Sequence, residues 1–176
     1  IPHLLFPLVS QITDTLERMQ YLVQEMERRD QMQTTRPRII VVVDELADVL
    51  QTCGKEMETW LTRLVQRGRS AGISVVACTQ KPSAVAVGTL MRANFPVRMV
   101  GRVTSADDAR VAAGIGGTGA EKLAGRGDFL LIAGGQVIRF QAAQTNAQDL
   151  MTNDQGHLGE PGKQKTWVAR MLRVVK

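Results

Sequence analysis

The sequence predicts an α/β fold built on a mainly parallel sheet and ended by a C-terminal β-hairpin. Two short apolar runs, Ile39-Ile40-Val41-Val42-Val43 and Ile73-Ser74-Val75-Val76-Ala77-Cys78, lie on either side of an amphipathic helix. That is the spacing of a strand, a crossover helix and a parallel neighbour strand. Further on, two apolar segments flank Gly134-Gly135, as in an antiparallel hairpin. With 176 residues, 44% of them hydrophobic, the chain can bury one good core. Residues 1–144 are expected to form that domain, and residues 145–176 a polar linker with a basic tail.

Residues 1–7 are apolar and interrupted by Pro2 and Pro7, an extended connector that reads as cut from something larger. From about Ser10 to Asp30, Ile12, Leu16, Met19, Leu22, Val23 and Met26 recur every three or four residues, with Glu17, Arg18, Glu25, Arg28 and Arg29 on the other side. This is the pattern of an amphipathic helix. The β-branched run at residues 39–43 reads as a strand buried on both faces of a parallel sheet. A second helix is expected from Glu56 to about Gly68, through Met57, Trp60, Leu61, Leu64 and Val65, followed by the strand at residues 72–78. A short helix near residues 89–93 and a third strand over residues 97–103 come next. Ser105 opens a helix that runs to Gly114, and Thr118 and Glu121 have capping-box spacing for a short helix ending at Leu123. Residues 127–133 and 136–142 make the hairpin. Between Thr145 and Lys165 the chain is polar without an apolar period, and over residues 166–176 helix and strand both remain open.

Composition narrows the class of function. The formal charge of +5 favours an anionic partner, with nucleic acid the natural candidate. Two cysteines, Cys53 and Cys78, are too few for a disulfide framework or a zinc site, which fits a reducing cytoplasm. No apolar stretch reaches the length of a membrane span, so no membrane contact is expected of this segment, whatever anchor a longer product carries.

The chemistry-bearing residues gather at strand ends. Asp44 and Glu45 directly follow the first strand, and in an open α/β sheet ligands bind at the carboxyl ends of the strands. Adjacent acids there suit nucleoside triphosphate hydrolysis, Asp44 holding Mg²⁺ through water and Glu45 orienting the attacking water. The competing reading is an acidic pair that caps the next helix. Thr79-Gln80 end the neighbouring strand, where an amide that both donates and accepts can hold water or sense a γ-phosphate; alone, the pair reads as a polar turn. Arg63, Arg67 and Arg69 cluster at the end of the second helix, where cations offset the helix dipole. An arginine just before a core strand can also reach a phosphate held by a neighbouring subunit. Lys81 and Arg110 are expected on a single rim of the sheet, where a basic edge binds a phosphodiester backbone. Gly114-Ile115-Gly116-Gly117-Thr118-Gly119 imitates a phosphate-binding loop, but Ala120-Glu121 stand where Lys and Ser or Thr are required. No other stretch fits that motif. If Asp44 and Glu45 serve a triphosphate, its phosphate-binding loop is expected before Ile1.

Several blocks in the same order resemble the motor domain of the FtsK/SpoIIIE family of bacterial DNA translocases. They are Val41-Val-Val-Asp-Glu-Leu-Ala-Asp48, Gln66-Arg-Gly-Arg-Ser-Ala-Gly-Ile73, Thr79-Gln-Lys-Pro-Ser83, Ala93-Asn-Phe-Pro-Val-Arg98 and residues 116–128, within a resemblance that covers about residues 1–144. It implies a RecA-like P-loop NTPase core without its N-terminal Walker A portion, belonging to a homohexameric ring that couples ATP and Mg²⁺ to movement along double-stranded DNA. Asp44 and Glu45 would be the Walker B pair, Thr79 and Gln80 would contact the nucleotide with Gln80 as sensor, and Arg69 would be the arginine finger. Lys81 and Arg110 would face DNA in the pore. Ala106 departs from the family, whose members often carry Lys there. Without Walker A, the chain alone is expected to be inactive. A related secretion or conjugation ATPase, and a non-catalytic assembly module, are the alternatives.

Overall fold

The structure, a computed structural model, describes Leu5, Phe6, Leu8, Val9, residues 11–80, Leu90, residues 94–144 and residues 167–170. In chain order the elements are α1 (Ile12–Met32), β1 (Ile39–Val43), α2 (Leu46–Arg67), β2 (Ile73–Ala77), β3 (Arg98–Val100), α3 (Ala106–Ala113), a 3₁₀ turn (Ala120–Lys122), β4 (Asp128–Ala133), β5 (Gln136–Gln141) and β6 (Trp167–Arg170). They form two compact units, one of residues 1–95 with 165–176 and one of residues 96–164.

The first unit holds the parallel sheet, in the order β2-β1-β6. β1 pairs with β2 from Ile39 opposite Ile73 to Val43 opposite Ala77, and β6 lies parallel along its other edge. Of the two readings left open for residues 166–176, the strand is the one realised, at residues 167–170, while the expected linker from Thr145 to Lys165 lies outside the described residues. Ile39, Val41 and Val43 are buried in one cluster with Met19, Leu22 and Met26 of α1 and Leu50, Met57, Leu61 and Leu64 of α2. Ile40 and Val42 are only half-buried, so β1 is not a strand buried on both faces. The reason is that α1 and α2 share the core cluster on a single face, that of the odd-numbered residues.

The second helix starts ten residues earlier than expected, at Leu46. Leu46, Val49 and Leu50 are buried at helical spacing, and Glu45 caps the start by accepting from the Ala47 N–H. Gly54, with φ 71 and ψ −158, breaks the helix into two segments. That left-handed φ suits a residue without Cβ. Across the pair, Arg63 meets Glu27 and Arg67 meets Asp30 at 2.8 Å, fastening α2 to α1.

The second unit is an antiparallel sheet, β3-β4-β5, with α3 and the 3₁₀ turn on one face. The third expected strand, over residues 97–103, is realised as β3 at Arg98–Val100 and pairs with β4. The hairpin forms as expected, with Ala133 opposite Gln136. Ser105 caps α3 through the Asp108 N–H, and Gly114 ends it. At the 3₁₀ turn the cap position is Gly119 in the left-handed region, and no side chain caps it, so the Thr118 capping box does not form. The helix expected at residues 89–93 lies outside the described residues except for Leu90.

Candidate active site

The β1–β2 pairing runs past both strand ends. The Cys78 N–H donates to the Val43 carbonyl and the Leu46 N–H donates to the Cys78 carbonyl, each at 2.8 Å. These two bonds bring the Asp44-Glu45 turn against Thr79-Gln80. There the Glu45 carboxylate accepts from the Thr79 hydroxyl at 2.5 Å, from the Gln80 N–H at 2.8 Å and from the Ala47 N–H at 3.2 Å. Glu45 and Thr79 are half-buried, whereas Asp44 and Gln80 are exposed. The helix-cap and site readings of Glu45 are therefore not exclusive, because the same carboxylate that starts α2 also binds the end of β2.

Burial first, and then the Asp44 and Glu45 carboxylates, push the Cys78 thiol above its usual pKa. It is a poor nucleophile or metal ligand there. Among the described residues no cluster of three or more His, Cys, Asp or Glu could cage a metal ion. A single exposed carboxylate at a strand end nonetheless fits Mg²⁺, which keeps several waters and is bound through one or two carboxylates together with substrate phosphates. Asp44 is the residue that would hold it.

Arg69 lies at the other end of the sheet. It stands in the turn between α2 and β2, on the amino side of β2, while Asp44 follows the carboxyl end of the parallel β1. Five strand residues at ~3.3 Å each separate those ends by roughly 15 Å. Arg69 is exposed and makes no ion pair with another described residue, whereas Arg63 and Arg67 are both engaged with α1. The turn that carries it is tight: a Cβ on Gly72, which has φ 73, would stand 2.0 Å from the Thr35 carbonyl oxygen. Of the three clustered arginines, Arg69 is the one not engaged with α1.

Arg110 is on α3 in the second unit, where its contact with Asp107 at 3.7 Å is loose and both side chains are largely exposed. The basic rim expected from the sequence joins Arg110 to Lys81. Lys81 lies outside the described residues. What sequence reasoning missed is the bond from Thr79 to Glu45; the helical spacing of Leu46, Val49 and Leu50 was the available sign that Glu45 is a cap.

The α/β fold with its parallel sheet matches that of P-loop ATPases among solved structures. The pCW3 conjugation coupling protein TcpA, in its monomer form with ATPγS, superposes with a TM-score of 0.68 at 24% identity, over 76% of this chain and 45% of that one. The cytoplasmic domain of the type VII secretion ATPase EccC of Thermomonospora curvata gives 0.57 at 19% identity, over 75% and 17%. The chain carries an FtsK/SpoIIIE family domain: the family model matches residues 30–84, the stretch that holds β1, α2 and β2. DNA translocase FtsK of Staphylococcus aureus (strain COL) is 34% identical over 181 residues, covering 88% of this chain. That of Sporosarcina ureae is 36% identical over 161 residues, covering 77%. The chain spans only 22% and 20% of the length of these two relatives.

Proposed function

We propose that this chain is the Walker B, sensor and arginine-finger portion of an ATP-driven motor that translocates double-stranded DNA. The observation that carries the reading is the hydrogen-bonded junction of Glu45 with Thr79 and Gln80, inside the stretch matched by the FtsK/SpoIIIE model. In this reading Asp44 holds Mg²⁺ through water, Glu45 orients the attacking water, and Gln80 senses the γ-phosphate. Bound Mg²⁺ supplies charge neutralisation on the phosphate oxygens. Arg69, at the opposite end of the sheet, serves a nucleotide held by the next copy in a homohexameric ring. Lys81 and Arg110 are the DNA-facing cations, supported by the net charge of +5. No helix among the described residues is long and apolar enough to cross a membrane.

The 176 residues contain no Gly-x-x-x-x-Gly-Lys-Ser/Thr, so turnover requires a phosphate-binding loop outside them, and the chain alone hydrolyses no ATP. The test is ATP turnover by the natural gene product that contains this chain, with and without linear duplex DNA. Turnover is expected to rise with DNA and to fall at least ~100-fold in Glu45→Gln, the usual scale of acid–base assistance. Turnover indifferent to DNA would point to the secretion-type motor, and a wild type without turnover to the assembly module.

A further inference from the structure

The three hydrogen bonds to Glu45 are unevenly shared between its oxygens. Among the described residues, Oε1 accepts from both the Ala47 N–H and the Thr79 hydroxyl, while Oε2 accepts only from the Gln80 N–H. A carboxylate oxygen has two lone-pair directions, so Oε1 is filled and Oε2 keeps one. Two of the three donors come from residues 34 and 35 positions downstream. Their segment is itself clamped to the Val43–Leu46 turn by both backbone bonds of Cys78. The Glu45 side chain is thus fixed from β2 as much as from its own helix.

We infer that Thr79 is a positioning residue: its hydroxyl, with the Gln80 N–H, holds the Glu45 carboxylate so that one lone pair of Oε2 is presented to water. This rests on the reading of Glu45 as the water-orienting acid, and it gives Thr79 a role other than contact with the nucleotide. Thr79 touches no reacting atom and acts through Glu45. A displacement of residues 78–80 is transmitted to the carboxylate, because neither oxygen can keep all its donors if that segment moves. Gln80 immediately precedes Lys81 in sequence, so the residue proposed to meet DNA is one peptide from a donor to Glu45.

Valine keeps the shape of threonine and removes the hydroxyl, and serine keeps the hydroxyl, so the two variants separate bonding from packing. In the 176-residue chain, amide exchange followed by NMR is expected to be slow at Gln80. It should quicken about five- to tenfold in Thr79→Val, as suits the loss of one hydrogen bond, and return to the wild-type rate in Thr79→Ser. In the natural gene product, Thr79→Val is expected to lower kcat for ATP about tenfold or more with KM within about twofold, and Thr79→Ser to recover most of kcat. Exchange at Gln80 unaltered by Thr79→Val overturns the inference, and so does quickened exchange with unaltered kcat. A change confined to KM returns Thr79 to the nucleotide. If the wild-type product turns over no ATP, the motor reading fails by itself, and the exchange rates alone decide whether Thr79 holds Glu45.

Discussion

Glu45 and Asp128 are each gripped by three donors, to different ends. Asp128 accepts two bonds from the Arg139 guanidinium, at 2.9 and 2.7 Å, and one from the Ala124 N–H at 2.8 Å. It thereby ties the hairpin to the segment after the 3₁₀ turn. Arg139 first, and then the Ala124 N–H, lower its pKa from 3.8 to about 2. A carboxyl group whose pKa is depressed on folding stabilises the fold above its unfolded pKa and loses that contribution as pH falls through the folded value. The melting-temperature gap between wild type and Asp128→Asn is therefore expected to be open near pH 5 and to close toward pH 2. A gap constant over that range would contradict the pairing. Asp128 lacked any sequence sign because its partner lies 11 residues on across a strand pair, whereas Asp44 and Glu45 stood out by following an apolar run.

Among the elements, α1 is tied to its neighbours by contacts of unequal weight. Arg29 is 2% exposed, donates to Glu25 at 2.7 Å, and reaches the carbonyls of Pro37 at 2.8 Å and Ala71 at 3.1 Å. It ties the end of α1 to the entries of both β1 and β2. Arg67 pairs with Asp30 at the surface, with its side chain 54% exposed. Urea unfolding of Arg29→Met is expected to show a loss of about 3 kcal/mol, since buried carbonyls and Glu25 lose a charged donor. Arg67→Ala should cost less than about 1 kcal/mol. Equal losses would refute this ranking. Sequence periodicity placed Arg29 on the polar side of α1, because no local pattern reveals the carbonyls of Pro37 and Ala71 that it meets. The same limit governs the strands. β1 and β2 were legible from their Ile and Val runs and the helix between them, but β3 is three residues long and its antiparallel partner, β4, is set by pairing distant in sequence. The helix expected from Glu56 is the part of α2 beyond Gly54, and the part before it, from Leu46, went unread.

For the molecule as a whole, the placement of Arg69 matters most. A parallel β1–β2 pair puts the turn bearing Arg69 at one end of the sheet and Asp44-Glu45 at the other, so one copy cannot bring both to a single nucleotide. The motor reading therefore needs two copies at each site, a consequence that the sequence order of the residues hinted at and the parallel register makes geometric. Subunit mixing of the natural gene product tests this most directly. Glu45→Gln and Arg69→Ala subunits should each be nearly inactive alone. When mixed in equal amounts, random neighbours give about a quarter of interfaces an intact Glu45 facing an intact Arg69, and DNA-stimulated ATP turnover should rise well above that of either variant. A mixture no more active than the average of the two variants, or full activity of Arg69→Ala by itself, would contradict the account.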